Sequence, residues 1–199
     1  MKISSYAIDN PKGTWKTISG NIYDIDDEYI YILTCGHSFV ETSEDYGKIG
    51  FEDLIKDLKI TFITGEEIFI NPKFIYTHSE TDVTLIVLDK NLVSQETLNI
   101  VMSINVDNMY RRNLENTTIY EYAYSRADKA YIKYYALIKS TTNGVLDIKN
   151  TNVINGCSGG GFFDNTGTYC GMTYNSIFVV YTQVLPTIYE LITIANPNY

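Results

Sequence analysis

Short runs rich in β-forming residues, separated by turn residues, recur along most of the chain. Thr14 to Ile25 is one such run, and Asp26-Asp27-Glu28 turns it into a second, Tyr29 to Thr34. Lys59 to Ile63 and Ile68 to Ile70 flank Thr64-Gly65-Glu66-Glu67, which reads as a hairpin with glycine in its loop. Val83 to Leu88 is apolar but for Thr84, long enough for a buried strand. Thr117 to Tyr124, Tyr131 to Lys139, Phe162-Phe163, Tyr169 to Tyr174 and Ile177 to Thr182 continue the pattern. The 18 tyrosines fall mostly in these segments, where an aromatic ring suits a half-buried pleated surface. Helical spacing is rare. Phe51, Leu54, Ile55 and Leu58 fit one or two amphipathic turns, and Leu185, Ile188, Ile192 and Ala195 fit a final helix over about 186–196 with Pro186 near its start. Ser94 to Ser103 fits helix or strand equally. Many short strands with a terminal helix, and no strand–helix alternation, predict an all-β barrel or sandwich.

Composition narrows the classes. The 199 residues can bury a core as one compact domain or as two small joined halves. A net charge of −9 leaves no basic surplus to displace counterions, so no nucleic-acid partner is expected. The longest apolar runs are too short to cross a bilayer, and the opening Met-Lys-Ile-Ser-Ser-Tyr lacks the apolar region of a signal peptide. Cys35, Cys157 and Cys170 are an odd number, which argues against a disulfide framework and for a reducing, cytoplasmic setting. Without an export signal, the glycosylation pattern at Asn116-Thr117-Thr118 reads as a chance match.

The segment Asn155-Gly156-Cys157-Ser158-Gly159-Gly160-Gly161 carries the candidate chemistry. Glycines around one serine let the backbone fold sharply and aim neighbouring N–H groups at a single point, as acyl transfer requires. A plain tight turn would have the same composition. Gly156-x-Ser158-x-Gly160 also satisfies the nucleophile-elbow pattern, whose chain order is serine, acid, histidine. The only histidines, His37 and His78, both precede Ser158, so that order fails. The order histidine, acid, serine remains: His37 ends the run Ile32 to Gly36, and Asp82 stands just before the apolar run Val83 to Leu88.

Taken together these segments resemble the chymotrypsin/trypsin-like serine peptidase family. Leu33-Thr34-Cys35-Gly36-His37 resembles the family's Leu-Thr-Ala-Ala-His, and Asp82-Val83-Thr84-Leu85-Ile86 its Asp-Ile-Ala-Leu-Leu. Gly156-Cys157-Ser158-Gly159-Gly160 is similar to Gly-Asp-Ser-Gly-Gly. Gly171-Met172-Thr173-Tyr174 resembles the strand lining the specificity pocket, and Val180-Tyr181-Thr182-Gln183-Val184 the strand before the terminal helix. The resemblance implies Ser158 as nucleophile, His37 as general base and acid, and Asp82 orienting the imidazole. It implies an oxyanion hole from the N–H groups of Gly156 and Ser158. The implied fold is all-β, two antiparallel six-stranded β-barrels with a C-terminal α-helix. Residues 1–95 would form the barrel carrying His37 and Asp82, and 96–199 the barrel carrying Ser158, the join lying between about Lys90 and Asn116.

The departures matter as much. Cys157 replaces the aspartate that pairs with a cleavage-generated N-terminus in digestive members, so that activation switch is not expected. Cysteine nucleophiles of viral relatives directly precede the two glycines; here that residue is Ser158, and Cys157 lies one place early. His78 reads as a surface loop residue. Asn152, Thr173 and Tyr174 fall near the substrate pocket, where the lack of a charged reader disfavours basic selectivity and points to a small or medium uncharged side chain. The expected function is a serine endopeptidase acting on a polypeptide, with no cofactor, metal or membrane partner. An activating partner is left unidentified. The alternatives are a catalytically silent version of the fold serving as a binding module, and an esterase using the same machinery.

Overall fold

A single glycine sets the geometry of the first half. The computed structural model describes residues 1–7, 15–39, 55–70, 74–104, 115–142, 145–149, 157–174, 178–180 and 184–199. Strand β1 spans Lys2–Ala7, and β2 (Lys16–Ser19) passes through Gly20 into β3 (Asn21–Ile25), so one path serves two sheets. A Cβ at Gly20 would lie 2.5 Å from Ile3 Cδ1 and 3.2 Å from the Leu33 carbonyl oxygen, which leaves no room for a side chain at this corner.

The remaining strands of this half are β4 (Tyr29–Cys35), β5 (Ile55–Thr61), β6 (Glu67–Ile70), β7 (Ile75–Thr77) and β8 (Val83–Asp89). They form two four-stranded sheets, ordered β2-β1-β5-β6 and β3-β4-β8-β7, with antiparallel pairing throughout. Ile3, Ile18, Ile22, Ile30, Ile32, Leu58, Ile60, Ile86 and Leu88 share the core between them. β4 and β8 are buried on both faces: Tyr31, Leu33, Cys35, Leu85 and Val87 point the other way, into a second core. Burial on both faces accounts for the apolar character of β8, in which even Thr84 is buried.

The second half is a closed ring. β9 (Thr118–Ser125), β10 (Ala130–Thr142), β11 (Val145–Lys149), β12 (Gly161–Phe163), β13 (Tyr169–Tyr174) and β14 (Phe178–Val180) pair in the order β10-β11-β14-β13-β12-β9 and back to β10. The antiparallel double-barrel architecture expected from the sequence is present, with the second barrel closed and the first drawn as two sheets joined by the bent β2–β3 path. Helix α1 (Gln95–Leu98) is capped by Ser94, whose hydroxyl accepts from the Thr97 N–H at 3.2 Å. Helix α2 (Val184–Ala195) packs back on β7 and β8 through Ile188, Leu191 and Ile192. No helix among the described residues is long and apolar enough to cross a membrane.

Some elements depart from the pattern reading. The spacing of Ile55 and Leu58 is not helical: both belong to β5, and 51–54 lie outside the described residues. The β1–β5 register steps from Tyr6↔Asp57 to Ala7↔Ile55, leaving Lys56 as an extra residue. Such a bulge turns a spacing of three into the same side of a strand. The Ser94 to Ser103 stretch contains α1 rather than a strand. Strands β1, β7 and β11 were not anticipated. β10 and β11 pair at Thr142↔Val145 on either side of Asn143-Gly144, a strong two-residue hairpin signal.

Because α2 fills the second core from the side of β8, shortening a side chain there should loosen both halves. Ile188→Ala should cost about 2–5 kcal/mol, read as a lower urea midpoint with an unchanged slope.

Candidate active site

Antiparallel pairing of β4 and β8 brings the first two candidate residues together. The register runs Thr34↔Thr84 and Cys35↔Val83, so the next residues of each path, Gly36 and Asp82, face each other. The Gly36 N–H donates to the Asp82 carbonyl at 3.1 Å. A 3-10 turn at Gly36–Ser38 then swings His37 outward, leaving its side chain 39% exposed. Asp82 is 5% exposed, and its carboxylate grips His37 twice. Oδ1 accepts from the His37 backbone N–H at 2.6 Å, and Oδ2 lies 2.5 Å from Nδ1 of the ring. A carboxylate buried to this extent needs such charge-assisted partners. The pairing also favours the tautomer with its proton on Nδ1, which leaves the lone pair on Nε2.

The serine turn is fastened to both halves. Gly160 N–H donates to the Cys157 carbonyl at 2.7 Å, closing the turn on which Ser158 stands half-buried. Ser19 N–H donates to the Ser158 carbonyl at 2.8 Å, and Asn21 Nδ2 to the Gly159 carbonyl at 2.8 Å. Both acceptors thus belong to the serine turn, while both donors flank Gly20 in the first half. On the other side, Gly159 N–H donates to the Thr173 carbonyl at 3.0 Å, and Thr173 N–H to the Gly160 carbonyl at 2.9 Å. The same Thr173 carbonyl accepts the Cys35 thiol at 3.0 Å. Cys35 is two residues before His37 and Gly159 one after Ser158, so this shared acceptor sets the two stretches side by side.

Gly159 is indispensable to this arrangement. Its φ is +80°, and a Cβ would fall 2.2 Å from the Ser19 carbonyl oxygen and 2.5 Å from Thr34 Oγ1. Thr34 Oγ1 itself donates to that Ser19 carbonyl at 2.7 Å.

No family model matches the chain, and no curated protein sequence does. Among solved structures, it is similar to the serine endoprotease from Yersinia pestis, with a TM-score of 0.62 and 16% identity over 95% of this chain and 60% of that one. It is similar also to the HtrA-type protease AlgW with tripeptide, with a TM-score of 0.65 and 12% identity over 98% of this chain and 60% of that one. The fold is that of the chymotrypsin-like serine proteases. The chain spans about 60% of the length of these two proteases.

Within the protease fold the remaining candidates fall as follows. Gly156 and Asn152 lie outside the described residues. Tyr174 ends β13, and its side chain is likewise outside them. Thr173 is buried, its hydroxyl donating to Glu121 Oε1. Cys157 is fully buried. His78 is less exposed than a loop histidine would be: its Nδ1 accepts the Glu80 N–H at 3.2 Å and its Nε2 meets Glu190 Oε2 at 3.2 Å, tying α2 to the loop that carries Asp82. Cys35, His37 and Asp82 offer ligand atoms within 4.8 Å of one another, the one group of three that could hold a metal among the described residues. Burial, with Asp82 adding to it, pushes the Cys35 thiol well up, so Cys35 stays a protonated donor rather than a thiolate ligand.

Glu121 is a residue of this site that no sequence motif marks. On β9, Ile119, Glu121, Ala123 and Ser125 all face inward, so strict alternation places an acid at a core position. Burial pushes its carboxyl up to about 7, against which the Thr173 hydrogen bond works only in part.

Two measurements follow. Gly159→Ala should cost about 2–4 kcal/mol, because strain at positive φ adds to a collision with fixed backbone; urea unfolding reads it. The folded chain keeps the Glu121 proton to about pH 7, whereas an unfolded one releases it near 4.5. Stability should therefore fall as pH rises through that window, by on the order of 3 kcal/mol relative to Glu121→Gln, in paired thermal melts.

Proposed function

We propose that this chain is a serine endopeptidase that cleaves peptide bonds through an acyl-enzyme intermediate, with Ser158 as nucleophile, His37 as base and acid, and Asp82 as the group that orients His37. The observation that carries this reading is the double grip of Asp82 on His37. A merely structural histidine at a strand end needs one partner; here a buried carboxylate fixes both the backbone and the ring of a side chain that stays 39% exposed. The linkage through the Thr173 carbonyl supports Ser158 as the group His37 serves.

In this mechanism His37 Nε2 takes the Ser158 hydroxyl proton as Oγ attacks the substrate carbonyl carbon, and the carbonyl electron pair moves onto its oxygen. The positive charge on the imidazole is stabilised by the Asp82 side chain. The Ser158 N–H, with that of Gly156, would donate to the oxyanion. Collapse expels the amine, which takes the proton from His37, and water then repeats the sequence in reverse to free Ser158. The polypeptide would lie in the cleft between the halves comprising residues 1–95 and 96–199. Complete burial of Cys157 supports Ser158 over the neighbouring thiol as nucleophile.

Labelling by a fluorophosphonate probe tests the assignment. Wild type and Cys157→Ala should label, Ser158→Ala should not, and His37→Ala should slow labelling by at least about 100-fold. Labelling that survives Ser158→Ala would overturn the nucleophile. Absence of labelling in the wild type would favour a silent fold that binds peptides without cleaving them.

A further inference from the structure

Glu121 occupies a place that the proposed chemistry leaves unexplained. Its residue is fully buried, inside the second barrel, and one carboxyl oxygen, Oε1, accepts the Thr173 hydroxyl. The other, Oε2, is buried with no hydrogen-bond partner among the described residues. The same Oε1 supports the serine turn from beneath: a Cβ on Gly160 would lie 2.6 Å from it. Thr173 transmits the contact, since its backbone N–H and carbonyl hold Gly160 and Gly159, the two residues after Ser158.

We propose that Glu121 is a positioning residue that holds the Ser158 turn in its working shape only while its carboxyl carries a proton, making the site self-limiting on the alkaline side. The regulation rests on the serine-hydrolase reading, while the structural switch beneath it does not.

The surroundings accept a neutral acid and penalise a charged one. Tyr134 of β10 stands opposite Glu121 in the ladder, and Phe162 of β12 opposite it on the other side. Thr173 faces it from β13, and Cys35 of β4 feels its charge, as it does that of Asp82. Cys157 lies in the turn above and acts with Glu121 on Tyr134. The tyrosine is pushed up to about 12 by burial and the Cys35 thiol well up, so both stay neutral. Among the described residues no cation is paired with Glu121. A carboxylate formed here draws water, or takes the Thr173 hydroxyl with it, and either displaces the Thr173 peptide from Gly159 and Gly160.

The test is the pH dependence, from 5.5 to 9.5, of the fluorophosphonate labelling rate for wild type and Glu121→Gln, with amide hydrogen exchange of the 158–163 segment measured in parallel. The neutral amide keeps the shape of the protonated acid. Wild type should lose rate about tenfold per pH unit above 7, with exchange protection of the segment falling over the same range, corrected for intrinsic exchange. Glu121→Gln should hold both on a plateau. An alkaline limb shared by the two proteins, or wild-type protection that does not change with pH, overturns the proposal. If wild type does not label at any pH yet protection falls in wild type alone, the switch stands and the peptidase reading fails. Should Glu121→Gln not fold, the wild-type exchange profile alone decides, a flat one being fatal.

Discussion

The Thr173 peptide is the junction on which the site depends. Its carbonyl accepts the Gly159 N–H and the Cys35 thiol together, one donor from each half of the molecule. Neither half holds a finished site alone. The first supplies His37 with its carboxylate clamp; the second supplies the turn that presents Ser158. A barrel strand is rigid because it is hydrogen-bonded on both edges, so a residue on β13 is a firmer anchor than a loop would be. The Ser19 and Asn21 contacts to the turn act in parallel, and both originate beside Gly20, where the backbone bends from one sheet to the other. The same corner that shapes the first half therefore also reaches across to the second.

Cys157 changes the character of this junction. Where the digestive enzymes that the sequence resembles carry an aspartate, this chain has a small buried residue, and the turn is secured by neutral hydrogen bonds from backbone and amide groups. Neutral bonds of this kind are individually worth about 1 kcal/mol, less than a buried ion pair costs to break. A turn secured by several such bonds is little affected by salt. It is correspondingly sensitive to what lies under it, and a buried carboxyl with one oxygen unbonded lies there.

The strand content and the histidine, acid, serine order were legible because they leave strong local marks: turn residues between apolar runs, and glycines crowded round one serine. Val83 to Leu88 read as buried because both its faces are used. The spacing of Ile55 and Leu58 misled because a bulge at Lys56 mimics a helical repeat over four residues, and only the partner strand β1 reveals it. β1 itself carries no distinctive pattern; its partners β2 and β5 define it. Glu121 was visible in principle, as the one acid on the inward face of Thr118–Ser125. Local pattern could not say that Gly160 rests on it, a contact made only when the ring of six strands closes. Asn152 and Gly156 lie outside the described residues, so the pocket they were assigned to stays a matter of sequence alone.

The return of residues 184–199 to the first half carries a consequence for how the molecule is made. Glu190 reaches His78, Asn196 donates to the Tyr31 hydroxyl at 2.8 Å, and the Tyr199 hydroxyl donates to Asp24. These contacts join residues separated by 112, 165 and 175 positions, so the half synthesised first is completed by a segment synthesised much later. Contacts so distant in sequence close slowly and together. A nascent chain would carry His37 and Asp82 long before it had either α2 or Ser158. Assembly order thus leaves these candidate residues apart until the second barrel and α2 have been made.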